Sequence, residues 1–314
     1  MIDLSVVVVS WNTRELTLAC LDAAARALRA APLRAEILLV DNGSRDGTAD
    51  AVGARLPRVR RIALARNAGF AGGANAGLAA MRGRHALLLN SDARPLGDAI
   101  GTCVRFLDGN PDVGLLGPRL VGADGRPERS VHALPRLAAE LAPPALHPLL
   151  FGLPAPRRAG EPVDVEAVRG AALFARGEAI RRVGPLCEDY FFFLEETEWC
   201  LRMQRAGWRV VHHPGVAFAH ASGASSKRRH PAETRIEYHR SLYRFYRANA
   251  GARSAARVRR LRFAKATLRV LAGAPLAALS ARRRLRWRSQ RALLAWHLRG
   301  CPAGAGLSAL EGGA

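Results

Sequence analysis

The stretch LSVVVVSWN, residues 4–12, decides the fold of this chain. Its apolar part has the length of a β-strand, is rich in β-branched residues, and ends in polar ones. Three similar apolar runs follow, EILLVD (36–41), RRIALA (60–65) and HALLLN (85–90), and helical patterns alternate with the runs, the later ones at 46–55, 73–82 and 97–108. This alternation predicts an α/β fold with a doubly wound, mostly parallel sheet buried on both faces.

Polar residues follow each of the four predicted strands. They are Ser10-Trp11-Asn12, Asp41-Asn42-Gly43-Ser44, Arg66-Asn67-Ala68-Gly69 and Asn90-Ser91-Asp92. In an open α/β sheet the carboxyl ends of the strands share one edge, and ligands bind in the crevice outside it. Taken singly, each group also fits a turn or a helix cap. Four such groups on one edge favour a binding site.

The third of these groups opens the glycine-rich stretch RNAGFAGGANAG, residues 66–77. Glycines at a strand-to-helix turn let backbone amides approach an anion at the start of the helix. The glycine spacing differs from the G-x-G-x-x-G dinucleotide pattern, and the P-loop pattern is absent from the sequence. The stretch therefore predicts either an anion-binding loop or a plain tight turn.

The composition is that of a globular protein with one large or two ordinary domains. The chain has 314 residues, 49% hydrophobic and 24% charged, which excludes a collagen, a disordered tail protein and a small disulfide scaffold. Its five cysteines show no C-x-x-C spacing, so we predict reduced thiols and a cytoplasmic protein. The N-terminus lacks the basic region of a signal peptide, and no apolar run reaches the roughly 18 residues of a spanning helix.

Nearly all of the net charge of +22 lies in one C-terminal block. Residues 227–300 hold 21 basic and 2 acidic side chains, whereas residues 1–226 hold 27 and 23. In the basic block, arginines alternate with Leu, Val, Trp287 and Trp296, which suits a helix lying on an anionic membrane surface. A solvated helical face, a disordered tail and a nucleic-acid-binding segment are the alternatives. The sequence shows no helix-turn-helix, RRM, KH or zinc pattern, and we expect no nucleic acid as a partner.

Taken together, the motifs resemble those of family 2 glycosyltransferases with the GT-A fold, most closely the rhamnosyltransferase-like members. The resemblance covers about residues 3–250 and rests on VVVVSWN (6–12), VDNGSRDGT (40–48), RNAGFAGGANAG (66–77), LLLNSDARP (87–95), residues 168–210 and HASGAS (220–225). It implies a nucleotide-sugar-binding half at 1–112, an acceptor-binding and catalytic half at 113–250, and a basic helical C-terminal tail at 251–314.

The same resemblance implies an enzyme of cell-surface polysaccharide synthesis. It would move a sugar, rhamnose or another hexose, from a UDP- or dTDP-sugar to a glycan or lipid-linked acceptor, with inversion at the transferred carbon. The basic tail would hold the enzyme at the inner face of the cell membrane. Two other hypotheses are a nucleotide-binding oxidoreductase and a non-catalytic basic protein that binds membrane or nucleic acid.

The resemblance also implies a divalent cation, Mg²⁺ or Mn²⁺, at the end of the fourth strand. Where related proteins carry Asp-x-Asp or a variant, this chain has Asn90-Ser91-Asp92. Asn90 offers only a neutral amide oxygen, so Asp92 supplies most of the attraction for the metal and the diphosphate. His220 resembles the third ligand of the family, although a lone histidine after a strand is also typical of a structural residue.

The catalytic base is expected within Leu194-Glu195-Glu196-Thr197-Glu198. This segment resembles the Glu-Asp motif of the family and places the base on Glu196, with Glu195 as a substitute. The alternative is that glutamates in a first helical turn only favour the helix dipole. We accept that interpretation for Glu198, which pairs with Arg202 at i,i+4.

Nucleotide-binding residues also follow from the resemblance. Ser10 and Asp41 occupy positions that hold the ribose and base in similar enzymes, and Asn67 and Asn75 occupy the loop that lines the pyrophosphate. Arg66 and Arg169 are further candidates for contact with phosphate.

Overall fold

The computed structural model describes residues 2–142, 159–221 and 230–311. Its contacts divide the chain into two compact units. The sheet unit contains residues 1–134, 151–188 and 195–222, and the helical unit contains residues 135–150, 189–194 and 223–314. The sequence-based divisions after residues 112 and 250 stay predictions.

The described part of the sheet unit contains one nine-stranded sheet and a two-stranded ribbon. The strands are β1 Ile2–Ser10, β2 Ala35–Asp41, β3 Arg60–Ala63, β4 Gly83–Asn90, β5 Ala93–Pro95, β6 Val113–Val121, β7 Val131–His132, β8 Val163–Asp164, β9 Ala167–Val168, β10 Ala172–Arg176 and β11 Arg209–His220. The sheet order is β3-β2-β1-β4-β10-β6-β11-β5, with β8 on β11, and the ribbon pairs β7 with β9. Strands β1 to β4 are parallel to one another, and β10 runs antiparallel to both β4 and β6.

The helices of the sheet unit lie between the strands in the chain. They are α1 Arg14–Ala30, α2 Thr48–Arg55, α3 Gly69–Ala80, α4 Ala99–Gly109, α6 Gly177–Val183 and α7 Glu195–Arg205. The prediction of a mostly parallel α/β sheet is therefore confirmed. Its two buried layers begin with alternating valines of β1, since Val6 and Val8 pack in one core and Val7 in the other.

Two helix starts differ from the sequence pattern. Asn12 and Glu15 have the spacing of a capping box, which predicts a helix start at Asn12. Helix α1 instead begins at Arg14, and no side chain caps it. Asn12 instead has a left-handed backbone (φ 52°), and its Oδ1 accepts a hydrogen bond from the backbone N of Arg45. Helix α3 begins at Gly69, four residues before the predicted start, because Gly69 adopts a φ of 77° that turns the chain from the loop into the helix.

The described part of the helical unit contains α5 Leu137–Leu141, α8 Pro231–Gly273 and α9 Ala281–Leu298. Helix α8 breaks at Gly251, whose φ of 83° and ψ of 165° are not helical, so it provides two helical segments. Their buried side chains include Ile236 and Ala266, which pack in one cluster with Trp296 of α9. The helical prediction for the block after residue 230 is confirmed. The proline-rich stretch 135–162 has little periodicity, which predicts a long loop or a few short helices. Helix α5 is one short helix in this stretch, and residues 143–158 lie outside the described residues.

Among the helices between residues 2 and 311, apart from the two gaps, none combines the length and the apolar character needed to span a bilayer.

Candidate functional site

Strand pairing brings Asp92 and His220 together at the edge of the sheet. Strand β5 lies antiparallel to β11 with Ala93 opposite His220, and the backbone N of Ala221 donates to the carbonyl O of Asp92 at 3.0 Å. The Nε2 atom of His220 lies 3.4 Å from Oδ1 of Asp92, and only 6% and 9% of these two side chains are exposed. Two of the three predicted metal ligands therefore share one buried position.

The other ring nitrogen of His220 contacts Glu128, a residue that the sequence did not indicate. Nδ1 of His220 lies 2.9 Å from Oε2 of Glu128. A carboxylate only accepts hydrogen bonds, so Nδ1 carries the proton, and in the neutral ring Nε2 is left with its lone pair towards Asp92. A carboxylate that holds a histidine in this way is the usual outer partner of a metal-binding imidazole.

The two carboxylates also set the charge of His220. Burial favours the neutral ring, but the hydrogen bonds that His220 donates to Asp92 and Glu128, together with the charges of these carboxylates, outweigh it and raise the pKa of His220. In the protein alone, the two carboxylates therefore favour a proton on Nε2, at the place between Asp92 and His220 that a cation would take.

The donor atoms fit a divalent cation. Two atoms that each lie about 2.1 Å from one octahedral ion are separated by about 3 Å, which is close to the distance between Asp92 Oδ1 and His220 Nε2. A cation at a nucleotide site commonly takes one or two protein ligands and completes its shell with diphosphate oxygens and water. Within the described ranges, no set of three or more His, Cys, Asp or Glu side chains could hold a metal by itself. Asn90 ends β4, and coordination by its amide stays a prediction.

A second acidic group lies at the start of α7. Glu195 is buried, and Oε2 of Glu195 and Oε2 of Glu196 both lack a hydrogen-bond partner among the described residues. Burial raises the pKa of Glu195 well above its usual value, and the neighbouring charge of Glu196 adds to the shift. The neutral form of Glu195 is therefore favoured beside Glu196. Glu198 pairs with Nε of Arg202 at 2.8 Å, as the structural interpretation predicted.

His132 borders this acidic pair and was not singled out in the sequence. Its Nε2 lies 2.7 Å from Oγ1 of Thr197. Burial lowers the pKa of His132, and the charge of Glu196 opposes that shift without reversing it. A neutral ring is thus held against the start of α7, next to the two glutamates.

Three consecutive residues, Arg169-Gly170-Ala171, join the two groups. Nη1 of Arg169 lies 3.8 Å from Oε2 of Glu128. A Cβ placed on Gly170 would lie 3.5 Å from Cβ of Glu196, and the carbonyl O of Ala171 accepts a hydrogen bond from the backbone N of Asn90. One short segment therefore contacts the histidine–carboxylate group, the acidic pair and the end of β4.

The ends of β2 and β3 form a third part of the site through Asn42, which the sequence did not single out. Nδ2 of Asn42 donates to Oδ1 of Asn67 at 2.8 Å and to the carbonyl O of Gly69 at 2.9 Å, and its Oδ1 accepts from the backbone N of Ala68. Asp41 is buried beside it and accepts a hydrogen bond from the backbone N of Ser44. The glycine-rich loop is therefore fixed to the strand that carries Asp41.

Ser10 and Asn75 also have partners within the protein. Oγ of Ser10 is buried and lies 3.1 Å from the hydroxyl of Thr13 and 2.7 Å from that of Thr17. Asn75 donates to the carbonyl O of Leu186 and to Oε1 of Glu188, and accepts from the backbone N of Leu186. These bonds give both side chains a structural role, and their contact with a nucleotide stays a prediction.

Comparison with known proteins relates the sequence of this chain to enzymes that transfer sugars. The sequence profile of glycosyl transferase family 2 matches residues 5–160. The N-acetylglucosaminyl-diphospho-decaprenol L-rhamnosyltransferase of Mycobacterium tuberculosis is 30% identical over 226 residues, which are 67% of this chain and 73% of that protein. The succinoglycan biosynthesis protein ExoO of Rhizobium meliloti is 38% identical over 91 residues, or 29% of this chain and 25% of its own length.

Two solved structures share the fold at low sequence identity. GalNAc-T7 with UDP, GalNAc and Mn²⁺ superposes with a TM-score of 0.56 at 15% identity, covering 78% of this chain and 50% of its own. The mannosyltransferase PcManGT of Pyrobaculum calidifontis with GDP-Man and Mn²⁺ gives 0.53 at 17% identity, covering 95% and 88%.

Proposed function

Since this chain belongs to glycosyltransferase family 2, we propose that it transfers a hexose, rhamnose or a close relative, from a nucleoside-diphospho-sugar to a lipid-linked glycan, with inversion of configuration. The observation that carries the proposal is the contact of Arg169-Gly170-Ala171 with Glu128, Glu196 and Asn90. This segment brings the candidate cation ligands and the candidate base to one place in the sheet unit. The M. tuberculosis relative, whose name specifies a lipid-linked acceptor and L-rhamnose, supports the choice of substrates.

The cation-binding residues in this proposal are Asp92 and His220. A bound Mg²⁺ or Mn²⁺ would offset the negative charge that develops on the leaving diphosphate. Asp92 supplies the charged oxygen, and Glu128 orients His220 through the hydrogen bond to Nδ1. The Mn²⁺ in both solved structures with this fold supports a divalent cation here.

Glu196 takes the proton from the acceptor hydroxyl in this proposal. One base and no enzymic nucleophile are enough for a single displacement, which inverts the configuration at the sugar carbon. Burial favours the neutral form of Glu195, which reduces the repulsion between the two carboxyl groups. Asp41, Asn67 and the amides at the start of α3 line the nucleotide side of the site.

The helical unit would hold the enzyme at the inner, anionic face of the cell membrane. Residues 227–300 carry the excess of positive charge. Of the exposed large hydrophobic side chains in the described residues, six lie in this block, namely Tyr238 and the five leucines Leu268, Leu271, Leu279, Leu285 and Leu298. Exposed leucines among arginines suit partial insertion into a lipid surface.

A donor panel tests the proposed reaction. Full-length protein with Mn²⁺ and a polyprenyl-diphospho-N-acetylglucosamine acceptor is expected to release nucleoside diphosphate from a dTDP- or UDP-hexose, and EDTA is expected to stop the release. The Glu196→Gln variant serves as the control for nucleotide release that is not catalysed by the enzyme. Equal release in the presence and absence of EDTA would refute the role of the cation, and the anomeric configuration of the product, read by NMR, tests inversion.

A further inference from the structure

A hollow of about 410 Å³ lies within the helical unit, among three helical segments. Its lining includes Arg235 from the first half of α8, Arg269 from the second half, and Arg283 and Arg286 from α9, together with Trp287 and Gln290. These arginines are far apart in the sequence, and the kink of α8 at Gly251 is what allows both halves of that helix to contribute.

The charges around the hollow are unbalanced. None of its described lining residues is acidic. Burial lowers the pKa of Arg235, and the positive charges of Arg269 and Arg286 lower it further. Bringing guanidinium groups together without a carboxylate costs free energy, and an anion in the hollow would remove that cost.

Two buried polar atoms in the lining also lack a partner. Nε of Arg235 and Oε1 of Gln290 have no hydrogen-bond partner among the described residues. Buried polar groups in proteins are nearly always hydrogen-bonded, so an unpaired donor beside an excess of positive charge indicates a missing acceptor. Phosphate fits this requirement, since guanidinium groups bind its oxygens through paired hydrogen bonds.

The wall of the hollow is rigid and partly aromatic. Nε1 of Trp287 donates to the carbonyl O of Val270 at 2.9 Å, which fixes the indole against α8. The guanidinium carbon of Arg291 lies 4.8 Å from the centre of the Trp287 ring. The same helices carry Leu271, two residues after Arg269 in the sequence, and Leu285, which directly precedes Arg286; these leucines are exposed by 66% and 54%. Arginines that flank a tryptophan and exposed leucines suit a phosphate at the surface of a bilayer.

We propose that this hollow is a binding site for the phosphate group of an anionic membrane lipid. The inference rests on the proposed membrane role of the helical unit and deepens it, because it replaces a general attraction between charges with one built site. A soluble phosphate would use the same guanidinium groups, but it would gain nothing from the exposed leucines of the same helices.

Two charge-matched double variants of the full-length protein test the site. All four arginines in these variants are exposed, so only their place relative to the hollow differs. Arg283→Gln with Arg286→Gln removes two residues that line the hollow, whereas Arg282→Gln with Arg284→Gln removes two residues of the same helix that do not. Loss of two surface charges alone is expected to weaken binding to phosphatidic acid vesicles by up to about 30-fold in both doubles. The lining double is expected to lose about 10-fold more, through its lost hydrogen bonds to phosphate.

Thermal denaturation separates the site from general attraction. Compared with chloride at equal ionic strength, inorganic phosphate and glycerol phosphate are expected to raise the thermal midpoint of the wild type and of the double variant at Arg282 and Arg284. They are expected to have little effect on the double variant at Arg283 and Arg286. Tighter binding of vesicles than of glycerol phosphate would identify the lipid as the source of the phosphate. Equal vesicle binding and equal thermal shifts in the two doubles would overturn the site and leave the membrane role intact. Failure of the wild type to bind anionic vesicles would instead overturn the membrane role and the lipid assignment.

Discussion

His220 lies with its Nε2 atom 3.4 Å from Oδ1 of Asp92, although 128 residues separate the two in the chain. The pairing of β5 with β11 creates this contact, since Ala93 is opposite His220 in the register. The side chain before Ala93 and the side chain at the end of β11 therefore meet at the edge of the sheet. A charged oxygen and an imidazole nitrogen at this separation are the basis of the first two predictions.

Asp92→Asn is expected to abolish turnover and to weaken Mn²⁺ binding by at least about 100-fold. Loss of an outer-shell partner costs up to about 100-fold in metal affinity, and loss of a direct ligand should cost more. The amide keeps the shape of the side chain but removes the charge that attracts the cation. Titration calorimetry with Mn²⁺ and UDP measures the effect. Asp98→Asn is the control, because Asp98 is exposed and pairs with Arg105. Normal Mn²⁺ affinity in Asp92→Asn would show that the cation binds elsewhere.

Glu128→Gln is expected to weaken Mn²⁺ binding by about 10- to 100-fold while the protein stays folded. The amide can turn either its oxygen or its NH₂ group towards Nδ1, so the ring of His220 is no longer held in one tautomer. Mn²⁺ affinity, read by electron paramagnetic resonance, is the measurement. Asp124→Asn is the matched control on the same hairpin loop, since Asp124 contacts the exposed Arg126. An unchanged affinity in Glu128→Gln would assign Glu128 a purely structural role.

Glu196→Gln is expected to lower kcat by about 10²- to 10⁴-fold with little change in the affinity for the donor nucleotide. Glutamine keeps the size of the side chain but cannot accept the proton of the acceptor hydroxyl. Steady-state kinetics and nucleotide titration separate the two effects. If Glu195→Gln is inactive and Glu196→Gln is active, the base is Glu195.

Glu195→Gln is expected to stabilise the protein at neutral pH. Burial raises the pKa of Glu195 in the folded state, so folded protein binds the proton more tightly than unfolded protein does. The wild type therefore loses stability as pH rises from about 4.3, the usual glutamate pKa, up to the raised value, whereas glutamine stays neutral throughout. Thermal midpoints measured from pH 4 to pH 8 should differ little at the acid end and diverge above it. Parallel curves would contradict the prediction.

Replacement of Leu271, Leu279 and Leu285 by serine is expected to weaken binding to anionic vesicles by about 10-fold or more, because each leucine that enters lipid contributes up to about 2 kcal/mol. The three side chains are exposed by 66%, 65% and 54%, so folding stability should change little. Vesicle flotation is the measurement. Serine at Leu96, an exposed leucine of the sheet unit, is the control. If the triple change leaves vesicle binding unaffected, the attraction between the protein and the vesicles is electrostatic alone.

The sheet could be predicted from the sequence because each early strand is a local signal. The four apolar runs match β1 to β4. The family 2 profile and the M. tuberculosis relative confirm the glycosyltransferase family, and the two solved structures share the GT-A fold. The antiparallel strand β10 between β4 and β6 gave no comparable signal. Five residues with flanking glycines carry too little periodicity to reveal a partner that is about 80 residues away in the chain.

Site residues at strand ends could be predicted from the sequence. Residues that hydrogen-bond to other site residues from elsewhere in the chain could not. Asp92 and His220 stand in recognisable stretches. Glu128 lies in a short hairpin, and nothing in the local pattern distinguishes it from a solvated surface glutamate. The amide of Asn42 likewise gained its role only from a loop 25 residues later in the chain. Partners of this kind depend on three-dimensional proximity, so no spacing rule within one sequence identifies them.

The late position of β11 determines when the candidate cation site can form during synthesis. At about 5 to 20 residues per second, a ribosome adds His220 roughly 6 to 26 s after Asp92. During that interval β1 to β4 can already pair, whereas Asp92 lacks both His220 and the strand that places it there. We therefore expect an unfinished chain to form the glycine-rich loop at 66–77 before it can bind the cation. The chain would become able to catalyse the reaction only when translation of the sheet unit is nearly complete.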